Sequence, residues 1–495
     1  MTAVLFGPDE SQVARWQAIA IPITYLRQFS AAAEGDWPTF DVVLLDLQIF
    51  RVDTSSYDID LEEAVKSVRA AAEKNPDSFW LLITPPVLTY NDVAHRLART
   101  LWDVLRGKTS ATQVATEPHY VSQVIPQVEA WLAEIERINA IPITVANTRD
   151  LSNSEWRCVR RLLGNCDSAH CEPLGEGQSE AIVLRADPVM NGGAAPTRVI
   201  KIGPARKILR EHLNYFEFVH QRLGDARAPH HDWNDLWTAG SSAAISYSFA
   251  GGANPRPLAS VMSAGDGCPA LHDLWERVLA PWLGMRRPST EPIAAFVAAF
   301  LDDLGLDQVE EMWNANPPAF AGAPNPVPWL RNISSRVNDV SLDRCIAHGD
   351  LHGYNVLVDQ HSQSWLIDFY HTGWKRALFD SAGSDAYLML HRVGASPSAV
   401  NRTDAEIVAG ENAYYGGGQP VREELAVVRA AALDVWGAPS AALLHLARAC
   451  SALRLLQYPS TDQALTKEVA GLAAAAARAL APNWEIAPEI APIEF

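Results

Sequence analysis

The sequence predicts a doubly wound α/β domain followed by a larger α+β region. Three observations predict this. Within residues 1–120, continuous apolar runs alternate with stretches of helical periodicity, the pattern of a parallel sheet buried on both faces. From about residue 150, paired strand-like runs come first. Beyond residue 423 the chain is Ala- and Leu-rich with helical spacing.

Composition narrows the function classes. The chain has 495 residues, 48% of them hydrophobic, enough for a sizeable core. Lys and Arg number 40 against 58 Asp and Glu, a net charge of −18. That argues against non-specific nucleic-acid binding, which needs clustered cations, and is compatible with a cationic partner. No apolar run is long enough to span a membrane, and the first ten residues lack the basic start of a secretory signal, so a cytoplasmic location is expected. The cysteines (Cys158, Cys166, Cys171, Cys268, Cys345, Cys450) form no CxxC pair and are expected to be free and buried. Cys166, His170 and Cys171 lie close together, but adjacent ligands have poor geometry and no second cluster completes a tetrahedral zinc site.

In residues 1–120, Val4-Leu5-Phe6 is a strand ending at Gly7-Pro8. Residues 41–47 form a central strand, 61–73 a helix, 79–83 another strand stopped by Thr84-Pro85-Pro86, and 93–105 a helix. Sites in such sheets form at the carboxyl ends of the strands. Asp9 and Glu10 follow the first strand, Asp46 ends the next and Thr84 the one after. This arrangement resembles a response-regulator receiver domain, which carries an acidic pair, a phospho-accepting Asp and a Thr or Ser in those places. The resemblance implies Asp46 as phospho-acceptor. It also asks for a Lys at the end of the last strand; Lys108 is the candidate, although no clear strand precedes it. An upstream histidine kinase, or a partner protein docking on this domain, is implied, and a homodimer is compatible with it.

Residues 121–150 are read as a helical linker. Ile125, Val128, Leu132 and Ile135 share one face of a helix over 125–138, with Trp131 beside it and Pro126 in the first turn. Ile141-Pro142 marks its end.

Residues 151–260 open with Leu174-Gly175-Glu176-Gly177-Gln178-Ser179. Residues 182–186 and 199–202 then pair as a hairpin across Asn191-Gly192-Gly193. Lys201 falls mid-strand among apolar residues, where a lysine needs a partner. A helix over 205–223 offers Glu211, with Glu217 as the alternative; Glu211, Asn214 and Phe218 share a face. Residues 246–249 read as a further strand.

In residues 261–480, the stretch 281–322 reads as helices whose acids (Asp302, Asp303, Asp307, Glu310, Glu311) form a solvated face, and 317–328 is a Pro-rich loop. The most specific segment follows: His348-Gly349-Asp350-Leu351-His352-Gly353-Tyr354-Asn355-Val356-Leu357-Val358, then Leu366-Ile367-Asp368-Phe369. Residues 356–358 and 365–367 form a hairpin with 359–364 as its polar turn, which brings Asp368 back beside Asn355. Phosphoryl transfer needs such groups: a carboxylate for the attacking hydroxyl, and an amide oxygen and second carboxylate for metal. Residues 423–480 are helical, with Leu443, Leu444, Leu446, Leu453, Leu455 and Leu456 as core, and 481–495 form a tail.

The loop and hairpin resemble the aminoglycoside phosphotransferase branch of the protein-kinase-like fold, which reads His-Gly-Asp-x-x-x-x-Asn and then Ile-Asp-Phe. The resemblance implies a two-lobed α+β domain, with 151–260 the small lobe and 261–480 the helical large lobe. It implies ATP and Mg²⁺ as cofactors, with ATP bound between the lobes. Asp350 would be the catalytic carboxylate that orients the acceptor hydroxyl or accepts its proton, and Asn355 and Asp368 the metal ligands. Lys201, paired with Glu211, would bind the nucleotide phosphates, and Gly175, Gly177 and Ser179 would form the loop over them. His348 would buttress the loop and Asp380 anchor it. The acceptor would be a hydroxyl-bearing small molecule or protein. Residues 199–218 look like the ternary-complex-associated kinase-like domains of bacterial signalling and conflict systems. That likeness keeps a second expectation open, a nucleotide-binding signalling or assembly scaffold with little or no turnover. A stand-alone antibiotic-modifying enzyme is disfavoured by the appended N-terminal domain.

Overall fold

The structure is a computed structural model that describes residues 3–6, 23–26, 42–47, 61–74, 78–84, 101, 111–116, 121–146, 151–174, 181–223, 227–239, 242–250, 255–301, 304–315, 325–336, 339–388, 419–436 and 441–457. The chain divides into two compact units, residues 1–212 with 231–249 and residues 213–230 with 250–495.

In the first unit, β1 (Ala3–Phe6), β2 (Ile23–Leu26), β3 (Val42–Asp46), β4 (Phe79–Thr84) and β5 (Ala111–Thr116) form one sheet in the order β2-β1-β3-β4-β5, with every pairing parallel. This is the flavodoxin-like doubly wound order. All five residues of β3 are buried, as a central strand covered on both faces requires. The helix α1 (Leu61–Lys74) sets Ala64, Val68, Ala71 and Ala72 against Val43, Leu45, Trp80 and Leu82. Small residues on its inner face let it approach the sheet closely. Neither β2 nor β5 is anticipated in the sequence: β5 reads Ala-Thr-Gln-Val-Ala-Thr and sits at the sheet edge, where apolar pattern is weakest. Lys108, the candidate for the end of the last strand, lies outside the described residues; β5 begins at Ala111.

The linker helix α2 (Val121–Ala140) begins four residues before the expected start, so Pro126 lies inside it and not in its first turn. Arg160 Nη1 donates to the carbonyls of Ile138, Asn139 and Ile141 at 3.5, 3.0 and 3.2 Å, which satisfies the orphaned acceptors at the end of α2. Arg161 lies over the Trp131 ring at 4.5 Å.

A second sheet in this unit contains β6 (Ile143–Val145), β7 (Ser168–Pro173), β8 (Ile182–Met190), β9 (Gly193–Ala194), β10 (Arg198–Pro204), β11 (Leu236–Ala239) and β12 (Ser242–Ser248). Its order is β11-β12-β10-β8-β7-β6, with β9 paired to β8. The helix α3 (Asn153–Leu162) buries Cys158, Val159 and Leu162 with Leu184, Ile200 and Ile202 of the sheet. Its start is a reciprocal cap: the Glu155 N–H donates to Ser152 Oγ, and Glu155 Oε2 accepts from the Ser152 N–H. The expected flexible hairpin turn is a tight Asn191-Gly192 pair with φ of 51° and 72°, and Gly193 already belongs to β9. Cys166 and Cys171 are buried in the core, and the His170 ring bonds to Thr144 at 2.9 Å. Burial pushes the Cys171 thiol up to about 11.

The helix α4 (Ala205–Asn214) follows β10, and a π-helical turn (Tyr215–Val219) continues it, where the 205–223 stretch reads as one uniform helix in the sequence. The second unit contains this turn and is largely helical: α5 (Leu258–Ser263), α6 (Gly267–Asp273), α7 (Ala280–Gly284), α8 (Ile293–Leu301), α9 (Leu306–Ala315), α10 (Val327–Arg336), α11 (Phe379–Leu388), α12 (Gln419–Trp436) and α13 (Ala441–Arg454). Short strands connect them: β13 (Arg256–Pro257), β14 (Thr290–Pro292), β15 (Asp339–Ser341), β16 (Arg344–Ala347), β17 (Val356–Val358), β18 (Ser364–Leu366) and β19 (Gly373–Arg376). Phe296, Phe300 and Phe379 stack at its core. Asp385 of α11, buried, accepts from Arg429 of α12 at 2.6 Å and Arg448 of α13 at 2.9 Å, tying three helices at one carboxylate. Both cations hold that carboxyl below its ordinary value against the pull of burial. Asp307 and Glu310 pair with Arg331 at 2.5 and 2.7 Å on the solvated face; Asp302 and Asp303 lie outside the described residues. Among the described residues no helix is long and apolar enough to cross a membrane.

Candidate active site

The candidate catalytic loop is built from local geometry. β17 and β18 pair antiparallel, Val356 opposite Leu366 and Val358 opposite Ser364. In the turn, Asp359 Oδ1 accepts the N–H groups of His361 and Gln363 at 2.8 and 2.9 Å. Beyond the strands, the Ile367 N–H donates to the Asn355 carbonyl at 3.1 Å. The residue after Ile367 is Asp368, so the hairpin carries it back beside Asn355.

Asn355 donates through Nδ2 to the Asp350 carbonyl at 2.9 Å and reaches Asp350 Oδ2 at 3.4 Å. With its amide nitrogen committed to Asp350, its amide oxygen is left for another partner. Asp368 has φ of 65°, a left-handed conformation that costs a non-glycine residue on the order of 1 kcal/mol or more. Such strain persists where the surroundings enforce it. An amide oxygen and a carboxylate are hard ligands that suit Mg²⁺, which usually takes one or two protein groups and fills its remaining positions with phosphates and water. The residues fit that cation.

The loop is held from below. His348 is fully buried; its Nε2 donates to the Ile367 carbonyl at 2.8 Å, and its carbonyl accepts from Thr372 Oγ1 at 3.2 Å. Asp380 accepts the N–H of His348 at 2.7 Å and that of Gly349 at 2.9 Å. Burial pushes the Asp380 carboxyl up, against the opposing pull of His348, the two N–H groups and Lys375. Gly349 has φ of +82°, and a Cβ there would lie 2.3 Å from the His371 carbonyl oxygen.

Asp350 is three-quarters buried at its side chain. Burial alone would raise its carboxyl. The hydrogen bond and charge of His352, with Arg454 and His371, outweigh that and hold it well below the usual carboxylate range. It is therefore poised as an anion. His352, which carries no role in the sequence reading, stands with Nε2 3.6 Å from Asp350 Oδ2.

In the first unit, Lys201 of β10 donates to Glu211 Oε2 of α4 at 2.7 Å, with side-chain exposures of 12% and 2%. Tyr247 of β12 donates to Glu211 Oε1 at 3.0 Å. The alternative, Glu217, is exposed in the π-helical turn. Next to Glu211, the His212 ring bonds to His231 at 2.8 Å and the His231 ring to the Ser246 carbonyl at 2.8 Å. Burial lowers the His212 imidazole to about 4.

Other expected site residues fare differently. Gly175, Gly177, Ser179, Asp9, Glu10 and Lys108 lie outside the described residues. Asp46 ends β3 beside Ile83, one residue before Thr84 on β4, so the strand ends meet as expected. Asp46 has no exposed surface, so a phospho-donor cannot reach it without movement around it.

Sequence reasoning missed three participants. Tyr247 reads only as part of a strand. The His212–His231 pair is separated in sequence by a helix end and a loop. Arg454 is the third: it is buried, its Nη1 donates to the Gly349 carbonyl at 3.1 Å, and its Nη2 lies 3.7 Å from Asp350 Oδ1. Charged residues inside the apolar stretch 441–454 signal a need for partners, but the sequence does not say which.

Comparison with known proteins places the loop within a recognised segment. The sequence profile of the phosphotransferase enzyme family matches residues 256–426. No curated protein matches the chain. Among solved structures, the chain is similar to aminoglycoside phosphotransferase APH(4)-Ia, at 13% identity and TM-score 0.40, covering 64% of this chain and 96% of that one. It is similar to spectinomycin phosphotransferase APH(9)-Ia in complex with ADP and spectinomycin, at 12% identity and TM-score 0.35, covering 63% and 92%. A macrolide 2′-phosphotransferase of type I is similar at 14% identity and TM-score 0.32, covering 63% and 92%.

Proposed function

We propose that this chain is an ATP- and Mg²⁺-dependent phosphotransferase acting on a hydroxyl acceptor. The observation that carries the reading is the convergence of an anionic Asp350 with Asn355 and Asp368 on one hairpin, inside the segment matched by the phosphotransferase family.

In this reading Asp350 orients the acceptor hydroxyl and takes its proton as the oxygen attacks the γ-phosphorus; the bond from that phosphorus to the bridging oxygen breaks and ADP leaves. Asn355 and Asp368 would hold Mg²⁺, which would supply neutralisation of phosphate charge. Lys201, fixed by Glu211 and Tyr247, contacts the nucleotide phosphates, with Gly175, Gly177 and Ser179 over them. Acceleration comes from positioning and charge stabilisation more than from covalent chemistry.

The N-terminal sheet is proposed as a receiver-like regulator, supported by its strand order and by Asp46 and Thr84 at adjacent strand ends. A histidine kinase or a docking protein would act there, and Asp46 would first have to be uncovered.

The test is incubation of the full chain with Mg²⁺ and γ-labelled ATP, beside Asp350→Asn. ADP formation by the wild type at least about 100-fold faster than the residual turnover of Asp350→Asn is the expected result. Tight ATP binding with no turnover in either protein would favour the nucleotide-binding scaffold. No ATP binding would overturn both.

A further inference from the structure

We propose that Arg454, outside the segment matched by the phosphotransferase family, is a positioning residue that orients Asp350 for transfer. The inference rests on the phosphotransferase reading and adds the C-terminal helix α13 to its machinery.

The guanidinium divides its donors between the two residues that matter most in the loop. Nη1 takes the carbonyl of Gly349 and Nη2 faces Oδ1 of Asp350. The opposite carboxylate oxygen, Oδ2, faces His352 Nε2 at 3.6 Å and Asn355 Nδ2 at 3.4 Å. Each oxygen thus faces its own cation, Arg454 on one side and His352 on the other at ion-pair distance, so the carboxylate is held from two sides. The peptide groups of Gly349 are fixed the same way: the N–H goes to Asp380 at 2.9 Å, and the C=O receives Arg454. The two clamps share a base, because the Arg454 guanidinium lies 5.0 Å from the Phe379 ring centre and Phe379 precedes Asp380. α13 is itself pinned to α11 by Arg448 and Asp385, so the guanidinium is delivered by a braced helix.

A buried guanidinium could serve packing alone. Two features favour positioning. The fork is used on both a carbonyl and a carboxylate, a geometry that suits arginine and not lysine. Its carboxylate partner is the proposed catalytic group, where a misplacement of about 1 Å can cost on the order of a hundredfold in rate. Its described contacts are to Gly349, Asp350 and Phe379, so its loss should fall on turnover more than on nucleotide affinity.

The experiment compares ADP release from Mg²⁺-ATP by the full-length wild type, Arg454→Met, Arg454→Lys, Asp350→Asn and the Arg454→Met/Asp350→Asn double variant, with folding checked by thermal melting. Arg454→Met is expected to lower kcat about 30-fold or more with KM for ATP within about twofold, and Arg454→Lys to recover only part of it. On the Asp350→Asn background, Arg454→Met should cost nothing further, because the group it positions is gone. If Arg454→Met melts below the assay temperature, Arg454→Lys decides: a fall in kcat at unchanged KM supports the proposal, and wild-type kcat overturns it. With an active wild type, undiminished kcat in Arg454→Met, or an equal loss on both backgrounds, overturns the positioning role while leaving the phosphotransferase reading intact. A wild type that releases no more ADP than Asp350→Asn overturns the phosphotransferase reading and the inference with it.

Discussion

Asp380 and Gly349 are joined by a buried hydrogen bond of 2.9 Å, in which the carboxylate Oδ1 accepts the glycine N–H. The partner oxygen accepts the His348 N–H, so one carboxylate holds the two peptide groups that precede Asp350. Asp380→Ala should leave two buried donors unpaired. At about 1–3 kcal/mol per orphaned group, a loss of roughly 2–6 kcal/mol is expected, read as a lowered denaturant midpoint. Unchanged stability would mean that the loop is held elsewhere.

Gly349 is a position that only glycine fits. Its φ of +82° strains any side chain, and a Cβ would meet the backbone oxygen of His371 at 2.3 Å, which no rotamer relieves. Gly349→Ala is expected to destabilise by about 2–4 kcal/mol and to reduce turnover more than it reduces ATP binding. Thermal melting together with nucleotide titration checks both. A variant as stable and as active as the wild type would contradict this geometry.

Glu211 is buried beside Lys201, so breaking that pair should differ from replacing it. Lys201→Met takes the cation at 2.7 Å from a buried carboxylate that keeps Tyr247, a loss on the order of 3–5 kcal/mol. The Lys201→Met/Glu211→Leu double variant should recover much of that stability. Neither should regain ATP affinity if Lys201 contacts phosphate. Equal destabilisation in the single and double variants would refute the ion-pair account.

His212 makes stability depend on acid. Its folded pKa is depressed to about 4 from 6.5, because burial in contact with His231 and Trp233 disfavours the cation. The unfolded chain therefore binds a proton that the folded chain refuses. The stabilisation is full above about pH 6.5 and fades as pH falls toward 4, by about 3 kcal/mol in total. Urea unfolding between pH 7 and 4.5 should show a shallower decline in His212→Gln than in the wild type. Parallel declines would mean that His212 titrates normally.

Much of the candidate phosphotransfer site is legible because its parts are close in sequence. Asp350, Asn355 and Asp368 are gathered by one loop and one hairpin, whose apolar alternation is a strong local signal. Lys201 and Glu211 occupy consecutive elements, and a lysine mid-strand announces its need for a partner. The central strands of the N-terminal sheet are equally clear. The edge strands β2 and β5 are not, since an edge needs little apolar surface.

Residue order alone carries the alternation of strands and helices, the candidate catalytic loop, and the chemistry its residue types can perform. Which distant groups serve that loop emerges from the packing of the folded chain. Arg454 meets Gly349 across 105 residues, and Asp385 gathers Arg429 and Arg448 from two later helices. Buried charges must find partners, but the sequence states only the need. Which partner answers depends on how helices pack, and packing is set by the whole core rather than by any local pattern.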